Sequence, residues 1–119
     1  MSGVMHINSE AEFKKEVLSY DGLTVIDFRA EWCGPCRMLG PIMEELAKDN
    51  ADRNVKIVKI DVDANPWLAS TFQVRSIPAI FFIKWWQPID NMVWVSPKNV
   101  FQSKIDQHSP IVKWAKSIE

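Results

Sequence analysis

Both cysteines of the chain sit two residues apart, in Trp32-Cys33-Gly34-Pro35-Cys36. This pentapeptide follows an apolar run, Thr24-Val25-Ile26-Asp27-Phe28, that reads as a buried strand. It precedes Met38, Leu39, Ile42, Met43, Leu46 and Ala47, which recur at helical spacing. Cys33 therefore falls where a strand ends and a helix begins. Unpaired N–H groups and the positive end of the helix dipole stabilise an anion there, and a thiolate is such an anion. Pro35 lacks an N–H and suits the first helical turn. Gly34 is expected to let the backbone turn tightly with the two sulfurs close. The spacing and setting imply a dithiol that opens and closes as a disulfide.

Other uses of two cysteines fit less well. Structural zinc needs about four ligands, and the remaining candidates are His6 and His108, at opposite ends of the sequence. A bridge across two intervening residues closes too small a loop to stabilise much. No metal and no cofactor beyond the redox disulfide is expected. With 119 residues, one domain with one core is expected. The 47% hydrophobic and 24% charged fractions are those of a soluble globular protein. A net charge of −1 without a basic cluster argues against nucleic-acid binding. No run approaches the length of a membrane span, and the first seven residues are too short and polar for a secretory signal. A reducing cytoplasm is the expected compartment.

Periodicity and punctuation give the order βαβαβαββα. Val4–Ile7 alternates as a short strand. Ser9 with Glu12 forms a capping box, opening a helix with Phe13, Val17 and Leu18 on one face, which Asp21-Gly22 ends. The strand Leu23–Phe28 follows, then a helix from Cys36 to about Lys48, with Pro41 expected to kink it. Val55–Val62 reads as a strand, Trp67–Phe72 as a short helix, and Ala79–Lys84 as an apolar strand. Ile89–Val95 pairs with the latter through a turn at Trp85–Pro88. Ser96-Pro97 opens a helix with Val100, Phe101 and Ile105 on one face. Alternating units followed by a hairpin and a closing helix imply an α/β fold, with a mixed sheet flanked by helices on both faces.

Ala30-Glu31-Trp32-Cys33-Gly34-Pro35-Cys36 resembles the active-site signature of the thioredoxin family, and the resemblance runs from about Met5 to His108. It implies the thioredoxin fold over residues 1–108 and a protein-disulfide reductase. Its partners would be disulfide-containing proteins and a thioredoxin reductase. Cys33 would attack and Cys36 resolve the mixed disulfide. Asp27 matches the family's buried acid, six residues before the first cysteine. It would accept the Cys36 proton, modulated by Lys59 on the neighbouring strand; a strand-edge acid paired with a lysine is the plainer alternative. Ile77-Pro78 matches the family's cis-proline, which presents backbone to an extended substrate. Trp32 would shield the disulfide, and Trp32, Gly34, Pro35, Ile77, Pro78 and Trp94 would line the substrate site.

Departures from the family pattern cluster on tryptophan. Trp67, Trp85, Trp86 and Trp94 stand where glycine or another turn former is usual, and Arg29 replaces an aromatic. A two-residue hairpin turn wants positive φ, which tryptophan resists, so the turn is expected to be strained or rebuilt as a longer loop. Residues 109–119 form an extension in which Ile111, Trp114, Ala115 and Ile118 recur at helical spacing. It is expected to pack on Trp85 or Trp86, within one chain or across a homodimer. A second function class therefore stands beside the reductase: a redesigned thioredoxin scaffold that binds or assembles through tryptophan-rich surfaces.

Overall fold

The computed structural model describes residues 3–110. The expected packing of the 111–119 segment lies outside them. The elements are β1 (Val4–Ile7), α1 (Glu10–Phe13), β2 (Leu23–Arg29), α2 (Gly34–Asp49), β3 (Val55–Asp61), α3 (Pro66–Thr71), β4 (Ala79–Lys84), β5 (Gln87–Val93) and α4 (Lys98–His108). The strands form one sheet in the order β1-β3-β2-β4-β5. β1, β3 and β2 run parallel, and β4 and β5 are antiparallel additions.

Strand alternation sends successive side chains to opposite faces. Leu23 and Val25 pack with Leu39, Met43 and Leu46 of α2 and with Phe101 and Ile105 of α4. Ile26 and Phe28 pack instead with Phe13, Val17 and Leu68 on the side of α1 and α3. Asp27 shares the α2 face with Val25. β2 is central and covered on both faces, so it reads as an apolar run interrupted by Thr24 and Asp27 and ended by Arg29.

Half of the capping box forms: the Glu12 N–H donates to Ser9 Oγ at 3.1 Å, while the Glu12 carboxylate accepts the N–H of Asn8, one residue before the cap, at 3.4 Å. Past Phe13 the helix widens into a π-helical stretch, Lys14–Leu18, closed by the Ser19 N–H on the Lys14 carbonyl at 3.1 Å. Glycine is required at position 22, where a Cβ would lie 2.3 Å from the Asn54 carbonyl oxygen. That contact lets Leu23 donate to the same carbonyl and start β2 beside β3.

Three readings need correction. α2 begins at Gly34 rather than Cys36, because Cys33 itself caps it. β5 starts at Gln87 and ends at Val93, so the hairpin has a two-residue turn, Trp85-Trp86, both left-handed (φ 54° and 52°). The strained alternative holds. Val100 is 37% exposed and leaves the burial on its helix to Phe101 and Ile105.

Candidate active site

β2 ends at Arg29, and a single turn separates it from α2. Cys33 is the N-cap residue, in extended conformation (φ −86°, ψ 108°), and its Sγ accepts the Cys36 N–H at 3.2 Å. The sulfur thus takes the position that a serine or aspartate oxygen takes at other helix starts. The cysteines are joined as a disulfide with Cα atoms 5.2 Å apart. Cys36 is fully buried and Cys33 is 4% exposed, so the two sulfurs differ slightly in access. Ala30, Val62 and Ile77 pack around the pair. Pro35 occupies the first turn of α2. Gly34 has no positive φ, and a Cβ there would meet nothing within 4 Å. Its conformational freedom is therefore not what the turn uses.

Trp32 is 68% exposed, and its indole N–H donates to Asp63 Oδ2 at 2.8 Å. Asp63 is presented by the loop after β3, where the Asp61 carboxylate accepts the N–H groups of Asp63 and Ala64. The indole is an external wall and takes no part in the core. With Val62, Ala69, Val74, Arg75 and Ile77 it lines an apolar cleft of about 150 Å³ next to the disulfide. The Asp63 anchor was not legible in the sequence, since Asp63 lies 31 residues away and nothing local marks it as an indole acceptor.

Ile77-Pro78 is a cis peptide, as the resemblance implied. Pro78 is buried, and its carbonyl accepts the Trp94 N–H at 3.0 Å, which fixes Trp94 across the hairpin from it. Trp94 is left-handed (φ 75°) and 60% exposed.

Asp27 is fully buried, and neither carboxylate oxygen has a hydrogen-bond partner among the described residues. Burial pushes its pKa up to about 6, against the opposing pull of Lys59 and Arg29. Lys59 stands directly opposite Asp27 in the β2–β3 register, as expected, and also reaches Glu44 of α2 at 3.9 Å. The plainer reading of Asp27, a strand-edge acid, is excluded by β2 lying in the middle of the sheet.

A disulfide at a helix N-terminus, with Cys36 fully buried and Cys33 keeping a trace of exposure, beside a cis-proline on this sheet, defines a thiol–disulfide oxidoreductase of the thioredoxin fold. The thioredoxin family model matches residues 4–107. The chain is 43% identical over 108 residues to thioredoxin 2 of Chlorobaculum tepidum, covering 91% of this chain and 98% of that one. It is 44% identical over 108 residues to the thioredoxin of Haemophilus influenzae, covering 91% and 99%. The solved structure of Malassezia sympodialis thioredoxin superposes with a TM-score of 0.81 at 38% identity, covering 91% of this chain and 92% of that one. The chain belongs to the thioredoxin family and is a protein-disulfide reductase of that type.

Proposed function

We propose that Cys33 attacks, Cys36 resolves and Asp27 accepts the Cys36 proton at the resolving step. The observation that carries this assignment is the Cys36 N–H on the Cys33 sulfur. In the reduced protein that donor and the rest of the α2 terminus favour a thiolate on Cys33. The thiolate attacks one sulfur of a substrate disulfide; that bond breaks, and a substrate thiolate leaves and takes a proton from water. Cys36 then gives its proton to the Asp27 carboxylate and attacks the Cys33 sulfur. The Cys33–Cys36 bond forms, the second substrate thiolate leaves, and two electrons have passed to the substrate.

Substrates on this reading are extended segments of disulfide-containing proteins, laid along Ile77-Pro78 and bounded by Trp32 and Trp94. A thioredoxin reductase returns the dithiol, in a reducing cytoplasm. Among the described residues no helix is long and apolar enough to cross a membrane. A turnover assay on a protein disulfide with a dithiol donor tests the reading: Cys33→Ser should abolish reduction, whereas a Cys33→Ser protein that still turns over would sink it.

A further inference from the structure

We propose that Arg29 is a positioning residue for the resolving step, a second cation that keeps the buried Asp27 carboxyl ionised and ready to take the Cys36 proton. This rests on Asp27 being that proton acceptor. Arg29 stands two residues from Asp27 on β2, so both side chains project from the α2 face of the sheet. Its side chain is only 16% exposed, which holds the guanidinium in the low-dielectric margin of the site, where charge acts at longer range. The Nη1 hydrogen-bonds Glu31 Oε1 at 3.2 Å, and Glu31 is 84% exposed, so that partner is largely screened by solvent.

The charges facing Asp27 are then arranged in two similar sets. Lys59 approaches from β3 and is tied outward to Glu44 of α2. Arg29 lies along β2 and is tied outward to Glu31, with Asp61 opposite it on β3. The β4 neighbour is Ile80, and α2 and α4 supply Leu39, Met43, Phe101 and Ile105, which are apolar. Cys36 is the titratable group that α2 contributes at its start. Arg29 is thus the cation added where the family carries an aromatic.

The test is the decay of a preformed Cys33 mixed disulfide with a small thiol, followed against pH. Arg29→Met should move the acidic inflection to higher pH and leave the plateau rate intact. Arg29→Lys should restore the inflection. An inflection unmoved in Arg29→Met but lost in Asp27→Asn overturns the role of Arg29 alone. An inflection that survives Asp27→Asn overturns Asp27 as the acceptor, and Arg29 with it.

A separate observation carries a second inference. Among the described residues four non-glycine residues have positive φ, and three are tryptophans: Trp85, Trp86 and Trp94. No glycine there has positive φ. A bulky side chain in that region is an outlier, and glycine is its default occupant. The three indoles are 60%, 67% and 60% exposed, so core packing does not explain them. Tryptophan at three left-handed positions, where glycine is the default occupant, points to one cause. The UGA triplet is read as tryptophan in some genetic codes and as glycine in others. We infer that the native host reads UGA as glycine and inserts glycine at positions 85, 86 and 94. Peptide mass mapping of the protein purified from that host should show glycine at all three. Tryptophan at these positions, or UGG codons in the gene, would overturn the inference.

Discussion

The backbone N–H of Cys36 points at the sulfur of Cys33, 3.2 Å away. This one contact makes two chemically identical side chains unequal. Cys33 is the acceptor at a helix start and keeps 4% exposure, whereas Cys36 lies inside the first turn with no exposed area. The proposed mechanism gives attack to the first position and resolution to the second. In the proposed mechanism the buried carboxyl of Asp27, on the sheet face that α2 covers, serves the resolving step.

Asp27 leaves a signature in stability. Its pKa rises from 3.8 to about 6 on folding, so between those values the folded state holds a proton that the unfolded chain releases. Stability therefore falls as pH rises through that window, and the penalty is complete above it. At about 1.4 kcal/mol per pKa unit the penalty is about 3 kcal/mol. Asp27→Ala should gain up to that much at neutral pH and nothing at acid pH, in urea melts across the range. It should also slow mixed-disulfide decay at neutral pH.

Glycine replacements should relieve backbone strain. A left-handed tryptophan costs about 1–2 kcal/mol. Trp86→Gly and Trp94→Gly should each raise stability by roughly 1 kcal/mol, because the exposed indoles bury too little to compensate. Trp94→Gly should also speed reduction of bulky protein disulfides more than small ones, by removing the exposed indole of a residue whose backbone is held to Pro78. Equal rate gains on both would place the indole outside the substrate path.

Arg53 ties the end of α4 to the rest of the domain. Its side chain is 14% exposed and pairs with Asp106 at 2.7 Å. It also reaches Asn50 Oδ1 at 3.0 Å and the Ser109 carbonyl. Asn50, 2% exposed, completes the set through Gln102 at 2.8 Å. Arg53→Ala should cost about 1–3 kcal/mol in denaturant melts, since partly buried acceptors lose a charged donor. Turnover at the distant disulfide should be unchanged.

Much of the fold was legible because local and global signals agree. The Ser9–Glu12 box, the apolar run of β2 and the alternation of β3 each point to the element that forms. Cys33 and Cys36 follow from spacing along correctly placed elements, whereas Asp27 and Lys59 came from the family resemblance, and the register sets them opposite one another. The misses come from tertiary effects. The π-helical stretch at Lys14–Leu18 has no periodicity of its own. The α2 boundary depends on a sulfur acting as a cap, which capping rules built on oxygen do not anticipate. The Trp85-Trp86 turn kept its two-residue form because the β4–β5 ladder outweighs the local cost in φ.

The central claim is the division of labour between the two cysteines. Reduced Cys36→Ser and Cys33→Ser proteins, each given a disulfide-bonded protein substrate, can be mapped by mass spectrometry for covalent adducts. The structure predicts a stable mixed disulfide on Cys33 in the Cys36→Ser protein and little or none on Cys36 in the Cys33→Ser protein. An adduct that forms faster on Cys36 would contradict the account.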